Sequence, residues 1–490
     1  MSYVDTLNDK DRKILNGVLK QFEKLAAIPR KSGHEKAVSD YLYHWAQQQE
    51  LKVIQDDTNN IIIDKPATPG YEDLPRVILQ GHMDMVCVAE PGKDYNPLQD
   101  AIELINDGNV LKAKGTSLGA DDGIGVAAAL YILASDTIQH GELRVIITTD
   151  EEAGMSGASN LESKYLDGAY LINCDSEDWD KVTMSSAGSV NIDVTGDIQW
   201  KKAIYQNALK FTLTGMLGGH SGVMIHDNRV NAIKIMGYFL YQLKKAEVAF
   251  EIADLSGGTA RNAIPSTCET ILVLDEEYFG RAREVIVNVK QYVLEHFSKE
   301  IGFEIQVEKV DMPTKVIEEK IADKIINFIC MAQDGVHTMS SAVDGLVESS
   351  SNMGLVEINN DQIKFNIFPR TSVDKYFNYF QEVFGKIASL CDFHMNFSGK
   401  SPGWPVNENS KLIPLTVKIF EEQNKIPMKK ESIHAGLEAG WFSAKNPDLD
   451  IISIGPNVKD IHSPQEHLEL CTLVPHVKLI IEILKRVKEL

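Results

Sequence analysis

The sequence predicts an α/β protein, a mixed-sheet core interrupted by a long α+β insertion of two tandem α/β sandwich units. Three observations carry that prediction. Short apolar runs at 76–81, 143–149 and 170–173 have the texture of strands buried on both faces. From about residue 188 helices alternate with paired strands, the pattern of antiparallel sheets with helices on one face. After about residue 402 the first texture returns, so the core divides into 1–187 and 401–490 around an insertion at 188–400 that acts as a lid over the strand ends.

The elements follow in order. Apolar positions at Ile14, Leu15, Val18, Leu19, Phe22, Leu25 and Ala26 have helical spacing, and a second helix runs from Ser32-Gly33 to about Gln49. Strands are expected at 51–56, 60–64 and 76–81, then a polar hairpin that turns at Asn106-Asp107-Gly108-Asn109. The segment Gly115–Gly125 is glycine-rich and acidic and precedes an apolar helix at 126–134. It fails as a phosphate loop, because carboxylates repel phosphate and the Lys-Ser/Thr pair is missing. In the insertion, the strands are expected at 211–214, 248–253, 268–274, 303–307 and 393–397, and the helices at 229–245, 278–296 and 376–390. The last part gives a helix at 412–422, a buried strand at 451–455 and a final helix beginning near Pro475.

Composition narrows the function. With 490 residues, 43% apolar and 24% charged, the chain has room for two or three domains with sizeable cores. Seventy acidic against 49 basic residues give a formal charge of −21, which argues against a nucleic-acid partner and suits a cationic metal or substrate. No apolar run reaches membrane-spanning length, and the start Met1-Ser2-Tyr3-Val4-Asp5-Thr6 has no signal-peptide pattern. The six cysteines are scattered without a CxxC pair and most read as buried thiols, so a cytoplasmic protein is expected.

The three buried runs at 76–81, 143–149 and 170–173 end in ionisable residues: His82-Met83-Asp84, Asp150-Glu151-Glu152 and Cys174-Asp175-Ser176-Glu177-Asp178. One histidine capping a strand, or one acidic N-cap, has an ordinary structural explanation. Three consecutive carboxylates repel one another, and a nearby cation would relieve that cost. Ligands in open α/β sheets bind beyond the carboxyl ends of strands.

The motifs Gly81-His82-Met83-Asp84-Met85-Val86, Gly119-Ala120-Asp121-Asp122-Gly123-Ile124-Gly125, Asp150-Glu151-Glu152-Ala153-Gly154-Met155, Gly218-Gly219-His220-Ser221-Gly222, His434-Ala435-Gly436-Leu437-Glu438 and Ile461-His462-Ser463-Pro464 span the chain. Together they resemble the di-zinc peptidase clan of carnosinases, acylases and bacterial di- and tripeptidases, and within it the aminoacyl-histidine dipeptidases. The resemblance implies that His82 and Asp175 hold one metal, Glu152 and His462 the other, and Asp121 bridges both. That donor set suits two divalent ions, zinc first, with cobalt or manganese as substitutes. It further implies that Asp84 orients His82, that Glu151 is the general base toward a metal-activated water, and that Asp121–Asp122 is a cis peptide. His220 would stabilise the oxyanion; Asn262 and Arg370 would hold the substrate backbone and C-terminal carboxylate, and Gly436 would add a backbone N–H.

The expected activity is hydrolysis of small unblocked dipeptides such as Xaa-His. Competing readings are an N-acyl amino acid amidohydrolase or another di- or tripeptidase of the clan and, from a different class, a non-catalytic metal-binding scaffold. The doubled insertion favours the dipeptidase, since a single sandwich is the common acylase lid. The scaffold would be expected to lack Glu151 or a ligand, and all are present. A homodimer is expected, with neither membrane nor nucleic-acid partners.

Overall fold

The strand Val77–His82 is buried at every residue because strands flank it on both edges and helices cover the sheet. The computed structural model describes residues 2–341, 343 and 345–490. It separates into two units, Met1–Ser185 with Trp404–Ser432 and Leu437–Leu490, and Ser186–Gly403 with Ile433–Gly436.

Among the described residues, the sheet of the first unit has eight strands. Their order is Lys52–Gln55, Ile61–Lys65, Leu143–Thr148, Val77–His82, Tyr170–Asn173, Asp450–Ser453, Lys181–Ser186 and Lys429–Ile433. The four central strands, 143–148, 77–82, 170–173 and 450–453, run parallel, and their neighbours on either side pair antiparallel. Four carboxyl ends therefore open on one edge.

Helix Asp9–Ala26 is capped by Asn8, which accepts the Asp11 N–H at 3.0 Å, and buries all the apolar positions expected of it except Ile14. It packs on Ala120–Leu133, a helix apolar nearly all round and correspondingly buried. The polar hairpin is Leu104–Asn106 with Val110–Ala113, and it pairs with His467–Glu469 in a small separate sheet. The final helix begins at Leu470, so Pro475 lies inside it and not at its first turn as expected. The helix follows directly on the strand end Glu469, and the Leu470 N–H donates to the Asn109 carbonyl at 2.9 Å, a tertiary contact that the proline did not announce.

In the second unit the two α/β halves are continuous. Eleven strands among the described residues form one sheet, and every pairing within it is antiparallel. Gly188–Asp197 pairs with Gln362–Ile367, Arg370–Thr371 and His394–Ser401, and Glu251–Gly257 meets Met353–Asn359 at Gly257 and Val356, which makes the sheet continuous. Helices Ala232–Lys245, Phe279–His296, Glu319–Met331 and Lys375–Leu390 contribute to a single hydrophobic cluster, in which Phe239, Val289, Phe328, Phe365 and Phe384 are buried. Three of the six cysteines, Cys174, Cys268 and Cys391, are buried thiols, whereas Cys330 and Cys471 are exposed, and none is paired. Among the described residues no helix is long and apolar enough to cross a membrane.

Candidate active site and metal centre

The carboxyl edge of the first unit's sheet gathers the acidic strand ends into one cluster. His82 is the last residue of its strand, and its backbone N–H donates to Asp122 at 3.2 Å. Gly81 makes that approach feasible, because a Cβ there would collide with the Asp122 carboxylate. The glycine-rich segment turns at Gly119, φ 68°, and leads into the Asp121–Asp122 peptide, which is cis.

His82 Nε2 lies 3.1 Å from Asp121 Oδ1 and 3.4 Å from Asp175 Oδ1. The second oxygen of Asp121 faces the other way, 3.3 Å from His462 Nε2, which is itself 2.9 Å from Glu152 Oε2. One carboxylate thus stands between two donor pairs, His82 with Asp175 and His462 with Glu152. Ligand atoms of His82, Asp121 and Glu152 all lie within 4.8 Å of one another. Asp150, just before Glu151, and His462 both have φ 58°, a left-handed conformation uncommon for such residues and more frequent at functional sites.

Asp84 is fully buried and serves four neighbours. Its Oδ1 is 3.3 Å from His82 Nδ1, and its carboxylate accepts the backbone N–H groups of Glu151 (3.1 Å) and Glu152 (3.2 Å) as well as the Ser32 hydroxyl (2.7 Å). It therefore aims the imidazole and fixes the backbone of both glutamates. Burial would raise its pKa, but His82 and these hydrogen bonds bring it below the usual carboxylate value.

Three further residues complete the cluster without having been singled out from the sequence. Arg30 is buried and donates to the carbonyls of Met83 and Asp84 at 3.0 Å each and of Gly119 at 2.5 Å. Glu466 accepts the N–H groups of Leu118 (2.8 Å), Gly119 (3.0 Å) and Ala120 (2.8 Å), holding the turn that presents Asp121. Glu438, the end of a quoted motif, accepts from Gln80 at 2.6 Å and from Thr148 at 2.7 Å. Its position four residues after His434 could have flagged it, but Arg30 had no such signal.

Electrostatics sets the chemistry. Burial pushes Glu151 well above its ordinary value, assisted by Asp175, Glu438 and Glu152, and pushes Glu438 up to about 7. Burial likewise raises Asp175 and Asp122 far above the carboxylate range. Asp121 and Glu152 draw a proton onto His462 and lift it to about 10; on His82, Asp175 and Asp121 overcome the opposing effect of burial. A buried carboxylate cluster of this density demands positive charge. Glu152 Oε1 is buried with no hydrogen-bond partner, and the oxygen–imidazole donor set is one that divalent zinc accepts. The residues fit a metal centre.

The remaining expected residues, His220, Asn262, Arg370 and Gly436, all fall in the second unit. His220 and Asn262 lie on neighbouring turns, where Gly219-His220 pairs with Ala263-Ile264 and Ser221 donates to the Asn262 carbonyl at 2.8 Å. The N–H groups of Gly222 and Val223 point at His220 Nδ1 (3.2 and 3.3 Å), so that nitrogen accepts and Nε2 carries the proton. Burial and the charge of Arg370 lower its pKa, which keeps the ring neutral. Arg370 is buried, its guanidinium makes no hydrogen bond or ion pair among the described residues, and it lies 5.0 Å from the centre of the Phe368 ring, with Arg261 5.1 Å from the same ring. Burial, reinforced by Arg261, lowers Arg370 to about 10. An unpaired buried guanidinium is an anion-binding group.

Comparison with known proteins places the chain in a family. The chain is 33% identical over 472 residues to the cytosol non-specific dipeptidase of Escherichia coli K12, covering 95% of this chain and 96% of the relative. The aminoacylhistidine dipeptidase of Vibrio alginolyticus superposes with a TM-score of 0.90 at 33% identity, covering 98% of this chain and 97% of that one. A tripeptidase from Staphylococcus aureus, at 16% identity and a TM-score of 0.55, covers 97% of this chain and 99% of that one and shares the fold. The description "Peptidase family M20/M25/M40" matches residues 78–486. With that match over most of its length, the chain belongs to peptidase family M20/M25/M40 and is a peptide-bond hydrolase.

Proposed function

We propose that the protein is a metal-dependent dipeptidase that hydrolyses unblocked dipeptides such as Xaa-His, in the cytoplasm, as a homodimer. The observation that carries the reading is Asp121, whose two oxygens face separate donor pairs. In this reading His82 and Asp175 would hold one divalent ion and Glu152 and His462 the other, Asp121 would serve both, and zinc would be the native metal. Such ions, when bound, polarise the scissile carbonyl and make water a nucleophile at neutral pH.

The chain's own residues do the rest. Glu151, its carboxyl raised by burial, takes a proton from the attacking water and passes it to the leaving amine. Asp84 keeps His82 and the Glu151 backbone in place. His220 donates Nε2–H to the oxygen that gains charge on attack, and its neutral tautomer supports that role. Arg370 pairs with the C-terminal carboxylate, Asn262 holds the substrate backbone, and Gly436 adds an N–H.

The test is hydrolysis of alanyl-histidine, carnosine and N-acetyl-methionine before and after chelation, with Glu151→Gln in parallel. Chelator-sensitive cleavage of the free-amine dipeptides is expected, and Glu151→Gln should keep metal bound while losing turnover. Retained turnover in that variant would sink the mechanism. Cleavage of N-acetyl-methionine alone would reassign the substrate.

A further inference from the structure

One buried side chain in the second unit has no role in the reading above and yet touches the segments of its substrate-binding candidates. His434 lies in the excursion Ile433–Gly436, which Ala187 secures by pointing its N–H at the carbonyls of Ile433 (3.1 Å) and Ala435 (3.0 Å). His434 Nε2 is 2.7 Å from the hydroxyl of Ser350, itself buried. Ser350 is the register partner of Arg370 where Val347–Ser351 pairs with Arg370–Thr371.

The backbone of His434 makes a second connection. Its carbonyl packs on Gly222 so closely that a Cβ there would collide with it, and Gly222 donates to His220 Nδ1. Two residues beyond Ser350, Asn352 donates to the carbonyls of Arg261 (3.0 Å) and Ala263 (2.8 Å), the two flanks of Asn262. Four substrate-binding candidates from distant parts of the sequence are thus tied together around one imidazole. Burial and the field of Arg370 keep that imidazole neutral, so it adds no charge of its own.

We propose that His434 is a positioning residue for the substrate's C-terminal carboxylate: through Ser350 it fixes the strand of Arg370 against the segment that carries Gly436. The proposal rests on the reading of Arg370 and Gly436 as carboxylate-binding groups. Removing the imidazole leaves a buried serine hydroxyl unpaired and frees the excursion to shift, and small misplacements of binding groups are costly.

The experiment is a double-mutant cycle read on alanyl-histidine, with KM and kcat measured separately. His434→Leu is expected to raise KM about ten-fold with kcat within about two-fold. His434→Gln, whose amide can still reach Ser350, is expected to recover most of the loss. In an Arg370→Met background, His434→Leu should change KM by less than about two-fold, since the group it positions is gone. Equal KM increments in both backgrounds, or an unmoved KM in the single variant, overturn the proposal. An unmoved KM in Arg370→Met alone would instead overturn the carboxylate reading on which it rests. If His434→Leu fails to fold, Ser350→Ala removes the same hydrogen bond from the other end and is read against the same outcomes.

Discussion

Asp84 shows how much one side chain can organise without touching a substrate. It accepts two adjacent backbone N–H groups from Glu151 and Glu152 and the Ser32 hydroxyl while it also faces His82. Replacing it with Asn removes the charge but keeps the shape, so the amide can satisfy the backbone only partly and can no longer stabilise a basic imidazole. Asp84→Asn is expected to fold yet lose about 10- to 100-fold in metal affinity or activity, measured by zinc titration and by kcat/KM. Activity within two-fold of wild type would show that its carboxylate only packs. Legibility at this scale followed local signals. His82, Asp84, Asp121, Glu151, Glu152, Asp175 and His462 were visible because ionisable residues ended apolar runs or fell in recognisable motifs, and the structure gathers them into one cluster. Arg30 and Glu466 were not visible, because their partners are backbone groups 53 or more residues away and 345 or more away, and no spacing rule reports such a contact.

At the scale of elements, period-2 and period-3.6 patterns placed the buried strands and long helices, because burial of one face is what creates those patterns. Continuity between elements left no such trace. The repeated order of the insertion suggests two tandem sandwich units, and the pairing of Glu251–Gly257 with Met353–Asn359, at Gly257 and Val356, joins them in one sheet. The final helix makes the same point: Pro475 suggests its start, whereas the helix begins at Leu470, directly after a strand. That helix also carries a pH prediction. His476 is buried in it, Nε2 has no hydrogen-bond partner, and burial lowers its pKa to about 3. The ordinary imidazole value of the unfolded chain is higher, so the unfolded state binds the extra proton between the two values. Its contribution to stability is therefore complete above about pH 6.5 and is lost as pH falls toward 3, at about 1.4 kcal/mol per pH unit. His476→Leu should reduce the stability lost between pH 7 and pH 5 by about 2 kcal/mol, measured by urea unfolding at both values. An identical loss in variant and wild type would mean that other groups set the acid limb.

For the whole molecule, the decisive quantity is where the negative charge sits. The chain carries a formal −21, but the costly part is the cluster in the first unit of buried Asp84, Asp122, Glu438 and Glu466 with half-buried Asp121, Glu151, Glu152 and Asp175, against Arg30 as its buried permanent cation. Burying that many carboxylates is tolerable when cations bind the folded state and poorly matched otherwise. Binding to the native state alone stabilises by about 4 kcal/mol when free metal is a thousand times the dissociation constant. The second unit has its own hydrophobic core and none of these ligands. Chelation should therefore lower the unfolding temperature of the first unit while leaving that of the second nearly unchanged, and calorimetry with added zinc should move the same transition back up. Proteolysis during the melt, read by which fragments appear first, would assign each transition to its unit. Equal shifts in both would show that the two unfold together. No shift in either would mean that the carboxylate cluster is stabilised by protonation alone, which the raised pKa values of Glu151 and Asp175 allow in the absence of metal, and the metal reading would fall with it.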